Sequence, residues 1–595
     1  MSLLALVLAG SLAALASPAD VLDRASLAAL EGEGYSFEGR VPAWDSLSEL
    51  LAADIEAVIA TVDRPLVREH AEAKRWPAGN VGRAFDTRWL RSELAFFQLA
   101  GIIDRADRRD IVGGCGELRL IYRLAYRQPR EEGGSVGSRL PLTLNVVMGR
   151  PEPCAASWAD PLAAPLRLLR VEVNAQVVRF PSGVETEFGG QAAYLLAVYA
   201  PVDGVWQRQA LENTPDVERL RADPEERARL LAWMAGHLEE IDLGAYRIPE
   251  GFLATRAVSW STLGTNRTIN KPFTRLFADT VLPAIPSDLR LIASPAGLLE
   301  RLDDGSCQGC HQAGAMAGFH LLGEDDPALA GVTNRLNLPL SPHGQAEQGR
   351  RAAYVSALLA GQEPDCFRPH SLQGHSGTNP PCLPPAQSAF VASAAWGCAD
   401  PAETCTVLVK EEGLSVPFGQ CLPAQEALTA GLSCRGGQIQ TGADGYQDRF
   451  VQAELYALPE DKRFSATSYN CRPTVIGVPL GRTYRSCTKA ERALEGVLRE
   501  DGKVAEEICA VVGGSAFDRC VEGDFHDCLD GIVARGMVDS CHAGRSCRED
   551  YACQALPWQL PGMPAQARVL AEAGVGFCTP TYFLFQLRLD GHPVP

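Results

Sequence analysis

The residues best suited to chemistry are Cys307-Gln308-Gly309-Cys310-His311. Two thiols three positions apart, followed at once by an imidazole, match the attachment signature of a c-type haem. Each thiol adds across one vinyl group of the porphyrin, and the adjacent imidazole of His311 supplies an axial ligand to the iron. In such a site the cofactor carries the redox chemistry, and the protein supplies ligands, burial and electrostatics. Two other readings use the same residues. One is a Cys307–Cys310 disulfide beside an incidental histidine. The other is a zinc site built from Cys307, Cys310 and two of His311, His320 and His343.

The flanking chain is laid out to hold this motif. Ser294-Pro295 is a cap followed by proline at the first helical position, and Leu298, Leu299 and Leu302 give the helix an apolar side. Asp303-Asp304-Gly305 ends it, and the motif follows directly. Residues 312–320 are rich in small side chains, which let a backbone lie close to a flat macrocycle. Leu321, Leu322, Leu336, Leu338 and Leu340 offer apolar walls. Ser341-Pro342-His343 reads as a loop before a helix at about 346–360, with Tyr354/Leu358 and Val355/Leu359 as i, i+4 pairs and Gly361 as its stop.

This order resembles a c-type cytochrome domain over about residues 285–362. The resemblance implies thioether bonds at Cys307 and Cys310 and His311 as the proximal iron ligand, with haem c and iron as cofactors. The distal side departs from it: no methionine lies between His320 and Gly361, and Met316 is only five residues from His311. His343 and His320 are the leading candidate distal ligands, with Met316 and an open or other position as the remaining alternatives. His343 is preferred, because a separate loop crosses the distal face without bending the segment that carries His311.

Compartment bears on this reading. Residues 2–16 are an uncharged apolar run ending in Ala14-Leu15-Ala16, a small-x-small cleavage pattern, so residues 1–16 read as a signal peptide. The expected location is periplasmic, extracellular or at the cell surface. Haem attachment of this kind and disulfide formation both belong outside the cytoplasm. No later stretch approaches 18 unbroken apolar residues, so no integral membrane span is expected. Lys and Arg total 55 against 73 Asp and Glu, a net charge of −18, which argues against nucleic acid or anionic membranes as partners.

The rest reads as a multidomain α+β chain. Residues 17–105 look helical: Asp45-Ser46 precedes a stripe of Leu47, Leu50, Leu51, Ile55 and Ile59, and Asp86-Thr87 precedes Trp89 to Leu99. Residues 106–215 switch to period two, in runs at Leu118–Tyr126, Leu142–Met148, Val171–Val177 and Tyr194–Val198, with Asp203-Gly204 as a tight turn. They suggest a small antiparallel β domain, with Cys115 and Cys154 placed for a disulfide. Residues 216–285 hold a helix capped by Asp223 and an irregular connector. In that connector Trp260, Asn266, Arg267, Asn270, Lys271, Phe273 and Arg275 form either a packed loop or a set of propionate contacts. The mostly helical haem segment spans 286–362.

Residues 363–595 carry 15 of the 19 cysteines with frequent Pro and Gly, the pattern of an irregular disulfide-stapled region. His370 and His375 fall in a Pro/Gly-rich linker and read as solvated. Metalloprotease, P-loop and dinucleotide-binding signatures are missing. The first functional reading is an exported mono-haem protein passing electrons to or from an unknown redox partner protein. A second is a haem-dependent, peroxidase-like oxidoreductase with an open sixth iron position. A third is a secreted or cell-surface binding protein in which the CxxC is structural.

Overall fold

The computed structural model describes residues 20–62, 83–129, 135–162, 165–179, 192–261, 264–309, 342–373, 381–401, 403–407 and 412–423, with five short strands between 440 and 580. The coarse α+β expectation holds: helices accompany a large antiparallel sheet and disulfide-bonded segments. No helix among the described residues is long and apolar enough to cross a membrane.

The sheet has eight strands: β1 (Arg83–Ala84), β2 (Ala95–Arg105), β3 (Glu117–Pro129), β4 (Ser135–Gly149), β5 (Arg167–Arg179), β6 (Ala192–Val202), β7 (Val205–Gln209) and β8 (Arg256–Ser261). The order is β2-β3-β4-β5-β6-β7, with β1 beside β5 and β8 beside β6. All pairings are antiparallel. Strand alternation sends Leu118, Leu120, Tyr122, Leu144, Val146, Val171 and Val173 into one core. Over that face lie helix α1 (Arg24–Leu30) and helix α2 (Trp44–Val62), and α2 buries Leu47, Leu51 and Ile55 there.

Two sequence expectations change here. Residues 95–105 are not helical. They form strand β2, while the helical start at Asp86 lasts only as a short turn over Thr87–Arg91. Ala-Phe-Phe-Gln-Leu-Ala-Gly-Ile-Ile is aromatic and β-branched, and Gly101 sits at a register shift against β3. The run Tyr194, Leu196, Val198 lies on the opposite face from the other three. In β6 it is Ala193, Leu195, Ala197 and Tyr199 that join the main core, and Leu196 and Val198 pack with Leu211 on the far side. β6 is buried on both faces, so both of its alternating sets are apolar.

A helical unit packs on that far side. It contains α3 (Val217–Ala222), α4 (Pro224–Gly236), α5 (Leu238–Leu243), α6 (Pro272–Phe277) and α7 (Pro295–Asp304) around Leu220, Leu230, Met234, Ile241, Phe273, Leu298 and Leu302. Asp223 caps α4 as expected, accepting from the amides of Glu225 and Glu226. Ser294 caps α7 with Pro295 behind it. Helix α8 spans Pro342–Leu359, so His343 lies in its first turn rather than in a preceding loop. Proline at the opening position already has helical φ and costs no hydrogen bond there, which starts the helix earlier than periodicity suggests.

Among the described residues beyond α8, regular structure appears where composition suggested an irregular region. β9 (Pro381–Cys382), β10 (Glu403–Thr406) and β11 (Gly419–Pro423) form a small antiparallel sheet held by the Cys382–Cys405 and Cys398–Cys421 disulfides. Its core includes Leu372, Leu383, Phe390, Trp396, Val416 and Phe418. His370, expected in a solvated linker, is buried among Phe390, Trp396 and Phe418. Cys366 is in no disulfide with another described residue.

Cys115 and Cys154 are bonded, as their positions suggested. The bridge ties the entry of β3 to the helical turn after β4 and closes a loop of sequence separation 39. Replacing both cysteines by serine should destabilise the sheet lobe by about 2–4 kcal/mol. Denaturant unfolding followed by tryptophan fluorescence measures this, since Trp158 Nε1 donates to the Cys115 carbonyl.

Candidate functional site

The Cys307–His311 motif begins where α7 ends. Ser306 caps a new helical turn over residues 307–309: its Oγ accepts from Gly309 N at 3.0 Å and donates to the Asp303 carbonyl at 2.7 Å. The turn sits so close to α7 that a Cβ at residue 309 would stand 2.1 Å from the Asp303 carbonyl oxygen. Only glycine fits there.

The first thiol is held at the seam between the sheet and the helical unit. Cys307 N donates to Thr214 Oγ1 at 2.8 Å, and its Sγ lies 3.4 Å from the Glu212 carbonyl oxygen. The side chain is half-buried and packs with Leu196, Val198, Leu211 and Ala257. Gln308 fastens the same turn to two elements: its Nε2 donates to the carbonyls of Val258 in β8 and Ile269. Its own carbonyl accepts from Ser259 Oγ at 3.2 Å. Cys310, His311 and His320 lie outside the described residues. For His343 only the backbone, in the first turn of α8, is described.

Glu212 links the motif to a buried ion network. Its carboxylate takes both terminal nitrogens of Arg108, at 2.7 and 2.5 Å. Burial raises this carboxyl, but Arg108 and Arg170 outweigh burial and bring it down to about 2. Arg108 also reaches Glu117, which holds Arg119 and Arg170 as well. Glu117 is fully buried, and these three arginines hold its carboxyl well below the usual carboxylate range despite the burial. Asp107 in turn accepts from Arg105 at 2.8 Å, Arg350 at 2.8 Å and Arg368 at 3.3 Å. The far face of the sheet is thus charged yet buried, which alternation alone would assign to solvent.

A second buried cluster lies under the motif on α7. Lys271 Nζ and Glu300 Oε1 are 2.5 Å apart and nearly inaccessible. Asp303 caps α6, accepting from the amides of Phe273 and Thr274 and from Thr274 Oγ1. Asp304 accepts from Ser371 Oγ at 2.5 Å. His370 Nε2 stands 3.6 Å from Glu300 and 3.9 Å from Asp304. Several polar residues of the 260–275 connector have partners within the fold. Asn266 exchanges hydrogen bonds with the backbone of Phe418, Asn270 does so with Trp260, and Arg275 pairs with Glu218.

Sequence reasoning singled out Cys307, Lys271 and the Ser294 cap but not Glu212, Thr214 or Glu300. Nothing local marks Glu212 and Thr214, which the fold brings to the motif from more than 90 residues away, and Glu300 is distinguished only by its partner Lys271. A Gly133-Gly134-Ser135-Val136-Gly137 string matches the nucleophile-elbow pattern by letter. Ser135 opens β4 opposite Pro129 in an antiparallel pairing, whereas that elbow is a strand-to-helix turn. Comparison with protein families, curated proteins and solved structures finds no match to this chain.

Asp303 yields a pH signature. Burial raises its carboxyl to about 7, with Glu300 adding to the rise and Lys271 opposing it. The unfolded chain releases this proton near its ordinary 3.8, whereas the folded chain keeps it until about 7. The contribution is therefore fully present below pH 3.8 and lost as pH rises toward 7. Asp303→Asn should flatten that decline, by an amount on the order of a few kcal/mol. Urea unfolding at a series of pH values reads it.

Proposed function

We propose that the chain is an exported mono-haem c-type protein that passes electrons to or from a partner protein. Haem c would be joined at Cys307 and Cys310, with His311 as the proximal iron ligand. The observation that carries this reading is the capped helical turn that starts at Cys307. That turn fixes the backbone at the first of the two thiols, where Thr214 and Ser306 hold it. A bound haem would supply one-electron chemistry at the iron.

This chain's own residues fit that task. The Cys307 Sγ reaches an apolar seam lined by Leu196, Val198 and Leu211. Thr214, Gln308 and Ser306 fix the backbone of the motif, so the tether has little freedom to lose on attachment. His343, the preferred distal ligand, starts a helix that Arg350, Arg351 and Tyr354 pin to Asp107, Asp20 and Asp110. A ligand on such an element is set by a rigid body. His320 is the second candidate.

Haem staining of a denaturing gel tests the reading, with protein made in a host that matures c-type cytochromes. The unmodified chain should stain, and Cys307→Ser with Cys310→Ser should lose the stain while still being exported. An unstained wild-type chain would favour the binding-protein reading. His343→Ala should turn the iron high-spin and let carbon monoxide bind the ferrous form. Carbon monoxide binding by the unmodified protein would instead point to the open, peroxidase-like site.

A further inference from the structure

The strands near the carboxy-terminal end repeat the plan of the module at 381–423. In that module the third strand, β11, is central and pairs antiparallel with both β9 and β10. Each strand carries one cysteine: Cys382, Cys405 and Cys421. Further on lie β12 (Gln440–Gly442) and β13 (Gly445–Gln447), and then β14 (Ser540–Cys541), β15 (Tyr551–Ala555) and β16 (Gly576–Pro580). The last three have the same arrangement, with the third strand central and antiparallel to both others. They also carry one cysteine each: Cys541, Cys553 and Cys578.

The registers agree position by position. Cys382 is paired with Gly419, and Cys405 with Cys421. Cys541 is paired with Gly576, and Cys553 with Cys578. The two central strands read Gly-Gln-Cys-Leu-Pro and Gly-Phe-Cys-Thr-Pro. A further cysteine stands between the first and second strands in both stretches, Cys398 in one and Cys547 in the other.

The first module shows how such a set is bonded. The first strand joins the second through Cys382–Cys405, and the inserted cysteine joins the central strand through Cys398–Cys421. The directly opposed Cys405 and Cys421 are not bonded to each other. Two strands flanking a third stand roughly 9–10 Å apart in a flat sheet. The Cα atoms of Cys382 and Cys405 are 5.8 Å apart, so the small sheet must curl. Glycine in the central strand makes the room: a Cβ on Gly419 would stand 2.7 Å from Cys405 Sγ. Gly576 occupies that same register position.

We propose that residues 540–580 are a second copy of this disulfide module, with Cys541 bonded to Cys553 and Cys547 bonded to Cys578. Each bond forms as two thiols give up two protons and two electrons to the disulfide of a thiol-oxidising protein, which leaves as a dithiol. The inference stands on register and sequence and does not depend on the haem reading.

Peptide mapping of the unreduced full-length protein tests it, with free thiols alkylated before digestion. Trypsin cleaves after Arg545 and Arg548, so Cys541, Cys547 and Cys553 fall in separate peptides. The expected linked pairs are Cys541 with Cys553 and Cys547 with Cys578. A Cys553–Cys578 pair, a Cys541–Cys547 pair or alkylated thiols at these positions would overturn the proposal. In Cys541→Ser with Cys553→Ser, the Cys547–Cys578 pair should persist, and its loss to other pairings would also count against it.

Discussion

The carboxylate of Asp107 is the point on which the assembly turns. It is fully buried and gathers arginines from three parts of the chain: Arg105 at the end of β2, Arg350 in α8, and Arg368 beyond α8. Its backbone carbonyl accepts from Arg368 as well. A buried carboxylate is costly unless it is paired and hydrogen-bonded, and these three cations hold it well below the usual carboxylate range despite the burial. The sheet, the closing helix and the irregular segment leading to the first disulfide module therefore share one electrostatic anchor. Breaking a buried pair from one side typically costs about 3–5 kcal/mol, because it strands the remaining charges.

The anchor extends to Cys307 through a short route. Arg108 follows Asp107 in sequence and binds Glu117 and Glu212. The Glu212 carbonyl lies against Cys307 Sγ, and Thr214 holds the Cys307 amide. A redox cofactor attached there would sit on a seam whose charges are already paired and desolvated. Such a surround reorganises little when an electron arrives, which suits an electron carrier. The buried Lys271–Glu300 pair and its neighbours brace α7 from the other side.

Much of this was legible in the sequence where one local rule governs. The Leu118–Tyr126 alternation, the Asp223 and Ser294 caps and the Cys115–Cys154 bridge all follow from period, capping and position. Legibility failed where two faces compete. Arg119 alternates with Leu118 and Leu120, which alone would leave it in solvent, yet Glu117 and Glu172 pair with it and it is buried. His370 read as a linker residue because its aromatic surround comes from residues 20 or more positions on, at Phe390, Trp396 and Phe418. Residues 95–105 carried a helix-like start at Asp86, but their aromatic and β-branched content found a partner in β3. The Cys307–His311 motif was visible by its spacing. The side chains that set its backbone were not, since Thr214 and Gln308 act through tertiary hydrogen bonds.

The most direct test of the central claim is the intact mass of the mature protein purified from a host that matures c-type haem. The account predicts a chain that begins after Ala16 and is heavier than its polypeptide by one haem, with the added mass retained through denaturation and acid extraction. A mass equal to the bare polypeptide, or an added mass that acid extraction removes, would contradict it.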